Sequence, residues 1–208
     1  MIIFSDTLVV VFDKGGVNSY LRAFLPACPY VLRASDLPVG DGRFLDMLAS
    51  RRNRVVRWFL DNTDLPWLLM LDRDMVVGDN TWPLFTCEYN VAGASYVRDA
   101  GVISHDVLGE VGCGCLRVSR VALEKIQPPW FQFTFDSTGE NVELCECSYF
   151  CLKARSAGYT PTKVGRVGHL ITMLAEPDDD GQVGFMFKRQ LKMSVGIPSE
   201  HSPTHTHV

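Results

Sequence analysis

The sequence predicts an α/β fold, a mixed but mostly parallel sheet flanked by helices, on three observations. Two short runs, Thr7-Leu8-Val9-Val10-Val11-Phe12 and Trp67-Leu68-Leu69-Met70-Leu71, are apolar or β-branched without polar alternation, the pattern of strands covered on both faces. Between them Phe44, Leu45, Leu48, Val55, Val56, Phe59 and Leu60 recur at helical spacing. Strand and helix alternate through the first half, the order that builds parallel sheets, whereas the second half adds strands without long crossovers and so makes the sheet mixed.

Taken in order, Asp13-Lys14-Gly15-Gly16 follows the first strand, and its glycines permit either a plain turn or close backbone approach to a ligand. A short helix over 17–25 is stopped by Pro26, and Tyr30-Val31-Leu32 gives a second strand. Asp41 is placed to cap the long helix, which Asn62-Thr63-Asp64 and Pro66 end. After the central strand, Gly78 to Thr81 turns into a short helix at Trp82-Pro83, where proline is tolerated in the first turn. Residues 90–97 read as a strand, with Val102 to His105 as its partner or an excursion, and 110–118 as a strand containing Gly112 and Gly114. Glycine inside a strand signals close approach of a ligand or another backbone. A helix over 120–126 halts at Pro128-Pro129, and Trp130 to Phe133 is extended. A further helix runs over 144–157 with Gly158 as its cap, and a strand over 159–167 closes at Gly168-His169. Asp178 to Gly181 is loop, and 185–193 is expected as a short basic helix.

The 208 residues suffice for one domain, expected over 1–197, with 198–208 as a polar, mobile tail whose His201, His205 and His207 are poorly placed for a preorganised metal site. Composition is that of a globular protein, 47% hydrophobic and 21% charged, with no run long enough to span a bilayer and no positively charged leader at Met1 to Asp6. The expected location is therefore the cytoplasm. A net charge of −4 argues against a surface coated for non-specific nucleic-acid binding. Four of the seven cysteines form the pairs Cys113/Cys115 and Cys145/Cys147, which lack the two-residue spacer of a structural zinc site, so buried small-hydrophobe thiols are the expectation.

The chemistry concentrates at Asp72-Arg73-Asp74, where the central apolar run ends. A strand of a covered sheet delivers its last residues to the edge where open α/β folds bind ligands, and two carboxylates one residue apart can share a divalent cation. Taken alone, such a pair is more often two solvated turn residues. Arg51, Arg52, Arg54 and Arg57 on the long helix are either a solvated face or a guanidinium fork for a phosphate or nucleotide.

Five segments, by their order and spacing along the chain, resemble the nucleotide-sugar glycosyltransferases of the GT-A (Rossmann-like) fold, in particular small bacterial and bacteriophage members, over Thr7 to about Thr172. They are Leu69 to Asp74, similar to that family's Asp-x-Asp motif; Ser50 to Val56, similar to its arginine-asparagine helix; Gly112 to Arg120, its glycine-containing strand and helix; Glu146 to Tyr159, its Glu-Asp-x-x-Phe-Cys helix; and Val167 to Leu170, its Val-Gly-His element. One position departs: where many relatives carry an aspartate that acts as general base, this chain has Cys147.

The resemblance implies a metal-dependent transferase that moves a sugar from a nucleoside diphosphate sugar, a UDP-sugar foremost, to an acceptor hydroxyl. Asp74 and His169, with Asp72 assisting, would hold Mn²⁺ or Mg²⁺. Asp13, Gly15, Gly16, Arg52, Asp72 and Arg73 would contact the nucleotide, Gly112, Cys113 and Gly114 would lie beside the donor sugar, and Glu146 would orient or deprotonate the acceptor. A hydroxymethylated DNA base is one acceptor such phage enzymes use, and Lys188, Arg189 and Lys192 with the helix arginines would then face DNA. Two other readings compete. A nucleotide-sugar pyrophosphorylase or other nucleotidyltransferase shares the carboxylates and metal, but Asp13 to Gly16 is too short for its glycine-rich basic loop. A non-catalytic nucleotide-sugar-binding module would fit the cysteine at 147.

Overall fold

The structure, a computed structural model, describes residues 4–13, 16–37, 44–97, 110–174 and 185–189. Expectations at Gly15, Asp41, Val102 to His105, Asp178 to Gly181, Lys192 and the 198–208 tail lie outside the described residues. The elements in chain order are β1 Thr7–Phe12, α1 Ser19–Phe24, β2 Val31–Arg33, α2 Phe44–Asn62, β3 Trp67–Asp72, β4 Met75–Val76, α3 Trp82–Thr86, β5 Val91–Val97, β6 Cys115–Ser119, α4 Arg120–Lys125, β7 Thr134–Phe135, β8 Val142–Leu144, α5 Glu146–Ser156, β9 Thr162–Leu174 and β10 Phe185–Arg189.

One sheet runs in the order β10-β9-β5-β6-β3-β1-β2, with β4 added on β9, and β7 pairs β8 in a separate hairpin. The ladders β1/β2, β1/β3 and β5/β9 are parallel, while β3/β6, β5/β6, β4/β9 and β9/β10 are antiparallel. The α/β class and the mixed sheet agree with the sequence reading; the expectation of mostly parallel pairing is corrected. The reversed β6 lies between β3 and β5, so it turns two central ladders antiparallel even though its neighbours share a direction.

The two buried runs explain the layering. Successive side chains of a strand point to opposite faces. Leu8, Val10, Leu68 and Met70 therefore pack under α2, α4 and α5 against Val55, Phe59, Leu123 and Phe150. Val9, Val11, Leu69 and Leu71 face α1 and α3, against Leu21, Phe24, Leu84 and Phe85. Each such fully buried side chain contributes about 1.5–3 kcal/mol relative to exposure. The pair Cys113/Cys115 is split by the sheet, Cys113 joining the first cluster and Cys115 the second, and all seven thiols are unbridged.

Three boundaries depart from the sequence reading. Residues 110–114 are not strand, and β6 begins only at Cys115, because Gly112 and Gly114 turn the chain into the sheet against Tyr96. The helix expected from Leu144 starts at Glu146, its preceding residues being drawn into the β7/β8 hairpin, where Asp136 accepts hydrogen bonds from Thr138 and Asn141. The strand expected to close at His169 continues to Leu174, and residues 185–189 of the expected basic helix form β10 instead, because pairing across 170–174 supplies a ladder that local pattern does not reveal. Among the described residues no helix is long and apolar enough to cross a membrane.

Candidate functional site

β3 ends at Asp72, one residue beyond the last covered position, and the even-numbered alternation that buries Leu68 and Met70 under α2 turns Asp72 to that same side. There it meets Arg52. The guanidinium is 1% exposed and donates through one terminal nitrogen to both Asp72 carboxylate oxygens, at 2.9 and 3.0 Å, and through the other to the Cys113 carbonyl at 3.1 Å. Its face lies 4.6 Å from the centre of the Phe12 ring, a cation–π contact made by the β1 residue in register with Asp72. Burial by itself would lower the Arg52 pKa; Asp72, Cys113, Cys147 and Glu146 outweigh it and hold the guanidinium firmly protonated. Of the four helix arginines, then, one is buried in the site, while Arg51 and Arg54 are half-buried and Arg57 is exposed.

Asp74 stands in the turn that follows, and the partner expected for it is beside it: His169 Nε2 is 3.3 Å from its Oδ2. Topology makes this pairing. β4, immediately after Asp74, pairs antiparallel with β9 so that Met75 opposes His169 and Val76 opposes Gly168. A Cβ at Gly168 would lie 3.0 Å from the Val76 Cβ, so the glycine of Val-Gly-His permits the close strand approach that delivers the imidazole. Asn18 fixes the same turn from the other side. Its side-chain amide donates to the carbonyls of Arg73, at 2.5 Å, and Met75, at 2.9 Å, while its oxygen caps α1 by accepting from Tyr20 and Leu21.

Asp74 and His169 fit a divalent cation. Ligands at about 2.1 Å in an octahedral shell are separated by about 3.0 Å along an edge, close to the spacing of these two donor atoms. One carboxylate oxygen and one imidazole nitrogen suit Mn²⁺ or Mg²⁺ over a thiolate-preferring ion. Asp72 does not join them in a compact triad: among the described residues Cys145, Glu146 and Cys147 are the group of three whose ligand atoms lie within 4.8 Å of one another. The imidazole Nδ1 is buried without a hydrogen-bond partner among the described residues, and the Tyr96 ring, centred 5.9 Å away, packs beside it.

Glu146 is the first residue of α5 and is 7% exposed. Its Oε1 lies 3.9 Å from Arg52 Nε. Burial raises its pKa, and Arg52 opposes that rise without cancelling it. Cys147, where relatives of the resembled family carry an aspartate, is buried, and its Sγ accepts from the Cys113 N–H at 3.2 Å. Glu146 supplies the carboxylate on the Arg52 side, with the Cys147 sulfur within 4.8 Å of it.

The remaining sequence-predicted residues sort as follows. Asp13, just past β1, is buried and accepts from the Ser35 N–H at 3.3 Å and its hydroxyl at 3.1 Å, tying the ends of β1 and β2 together. Gly16 has φ +106° and closes a turn on the Asp13 carbonyl. Arg73 is exposed. The room left by the missing side chains of Gly112 and Gly114 is taken by protein: a Cβ at 112 would lie 2.4 Å from the Tyr96 ring, and one at 114 would lie 2.9 Å from both Asp72 Oδ2 and the Tyr96 hydroxyl. Tyr96 and Asn18 are the site residues that sequence reading missed. The glycines at 112 and 114 signalled a close approach without saying what approaches, and Asn18 carried only the signal of a helix cap.

No protein-family model and no curated protein matches the sequence. Among solved structures, the chain is similar to A197 from STIV, at 21% identity over 90% of this chain and 97% of that one, with a TM-score of 0.51. A mycobacterial protein aligns over 88% of this chain and 74% of its own at 12% identity, with a TM-score of only 0.41. The likeness to A197 is one of fold, and it extends along nearly the whole chain.

Proposed function

We propose that the protein is a metal-dependent glycosyltransferase that moves a sugar from a nucleoside diphosphate sugar to an acceptor hydroxyl. The observation that carries the reading is the Asp74–His169 pair at 3.3 Å on the edge where β3 ends, with the buried Arg52–Asp72 pair beside it. Sugar transfer from such a donor leaves a diphosphate whose growing negative charge must be met; Asp74 and His169 would hold a divalent cation that would meet it as a Lewis acid. Everything else falls to the chain's own groups.

Arg52 holds the Asp72 carboxylate by both oxygens, so that Asp72 keeps a fixed orientation toward nucleotide or metal. Glu146 takes the acceptor-side role. A carboxylate whose pKa is raised is a better proton acceptor than an ordinary one, and a base works best when its pKa approaches the working pH. Cys147, buried and hydrogen-bonded, does not share that role. The family resemblance assigns Asp13, at the end of β1, to the nucleoside, and a UDP-sugar is the donor to try first.

The test is a panel of nucleoside diphosphate sugars with and without Mn²⁺, read as nucleoside diphosphate released. The reading expects Mn²⁺-dependent release from at least one donor, lost in Asp74→Asn. Absence of release from every donor favours a binding module, and formation of nucleoside triphosphate on adding pyrophosphate favours a pyrophosphorylase.

A further inference from the structure

We propose that Cys145, Glu146 and Cys147 form a second cation site, distinct in chemistry from Asp74–His169, that takes a thiophilic divalent ion such as Zn²⁺. The spacing of the cysteine pairs speaks against a zinc ribbon, but the fold assembles a different donor set. Both sulfurs of one pair and the carboxylate between them lie at the start of α5, as its cap residue and first two helical residues, with all three ligand atoms within 4.8 Å of one another. A tetrahedral ion with bonds of about 2.3 Å to sulfur and about 2.0–2.2 Å to oxygen needs donors roughly 3.5–3.8 Å apart.

Three further features suit a metal thiolate. The Cys147 sulfur accepts from the Cys113 N–H at 3.2 Å, which orients it, and the Cys145 sulfur lies 3.4 Å from the oxygen of Ser148, whose own proton goes to Glu110 at 2.6 Å. Two thiolates, one carboxylate and a dication sum to −1, and the nearest cation is the Arg52 guanidinium, 3.9 Å from Glu146, which Asp72 shares. Cys145 is only half-buried, which gives the ion an approach and water a fourth position. On binding, each thiol releases its proton to solvent and forms a sulfur–metal bond, and Glu146 contributes its ionised carboxylate, with no change of oxidation state.

Donor softness separates the two sites. Sulfur selects Zn²⁺ over Mn²⁺ or Mg²⁺, while the oxygen–nitrogen pair at Asp74 does the opposite. Filling the sulfur site engages the carboxylate assigned to the acceptor, so Zn²⁺ would act as an inhibitor. That consequence rests on the transferase reading, whereas the binding itself does not.

The experiment is titration of the full chain, reduced, with Co²⁺ as the spectroscopic substitute. The expected result is one equivalent giving near-ultraviolet sulfur-to-metal charge transfer and the visible bands of tetrahedral cobalt, all bleached by Zn²⁺. Cys145→Ser, a change at the half-exposed ligand, should weaken Co²⁺ binding at least tenfold and reduce the charge-transfer band while leaving the circular dichroism of the fold unchanged; Glu146→Gln should weaken it several-fold. Absence of the charge-transfer band in the natural chain overturns the site, as does an unchanged band in Cys145→Ser. Zn²⁺ inhibition of donor turnover is read separately, against each variant's own rate with Mn²⁺ and no Zn²⁺. A chain that binds Co²⁺ through sulfur but turns over no donor keeps the site and discards the transferase.

Discussion

Arg52→Met removes the buried guanidinium of the candidate site while keeping a long apolar stem on α2. The guanidinium is almost fully buried and has three acceptors, the two oxygens of Asp72 and the Cys113 carbonyl. Deleting one partner of a fully buried ion pair costs about 3–5 kcal/mol. Here the Asp72 side chain is 28% exposed and water can reach it, so its share must be reduced. The Cys113 carbonyl, deep in the core, loses a donor at a cost of about 1–3 kcal/mol. Together these give roughly 2–4 kcal/mol of destabilisation. For a chain of this size that is a fall in Tm of about 4–16 °C. Thermal unfolding followed by circular dichroism reads it directly, with Arg57→Met, an exposed neighbour on the same helix, as the control expected to stay within about 0.5 kcal/mol. A Tm within about 1 °C of the natural chain for Arg52→Met would refute the claim that this guanidinium organises the edge of the sheet.

Gly114→Ala places a Cβ 2.9 Å from both Asp72 Oδ2 and the Tyr96 hydroxyl, and overpacking of that kind costs about 1–3 kcal/mol; Gly78→Ala, with open space around it, is the contrast, and equal Tm values for the two would contradict the packing argument. Asn18→Ala removes both the α1 cap and the amide that ties the Arg73 and Met75 carbonyls, so chemical denaturation should show a loss of about 1–2 kcal/mol, with Mn²⁺ affinity falling alongside; a variant as stable as the natural chain removes Asn18 from the account. Glu146 has a raised folded-state pKa, so the folded chain keeps this proton to higher pH than the unfolded chain does. Stability from this group is present below the unfolded value, about 4.3, and is lost as pH rises through the folded one, while turnover that needs the carboxylate should rise over the same window. The pH dependence of Tm should therefore be flatter in Glu146→Gln, and parallel curves for the two proteins would show that burial does not hold the proton.

Much of this arrangement was legible in the residues because it follows from local patterning. The runs at 7–12 and 67–71 had to be covered strands, and their period of two decides which face Asp72 takes. The residues alone mark Arg51, Arg52, Arg54 and Arg57 as one cluster, and Arg52 was set apart only through the family resemblance, since the packed structure determines which helix face is covered. The pairing of Asp74 with His169 was reachable through the family resemblance alone; physically it depends on β4 meeting β9 nearly a hundred residues later, a long-range register that no local signal encodes. The same limit explains the strand at 185–189, whose basic residues read as a helix until its partner at 170–174 is known. Tyr96 was invisible for a further reason: Gly112 and Gly114 record that something large lies close by, but an absent side chain does not identify its neighbour.

The central claim is that Asp74 and His169 form a hard-cation site used together with a nucleoside diphosphate. The most direct measurement is the free Mn²⁺ signal in electron paramagnetic resonance on titrating the protein in the presence of a nucleoside diphosphate. The account predicts uptake of one equivalent of Mn²⁺, strengthened by the nucleotide, at least tenfold weaker in Asp74→Asn and in His169→Ala, and unaffected by Cys145→Ser. Mn²⁺ uptake that ignores both Asp74 and His169, or no uptake with any nucleoside diphosphate, contradicts it.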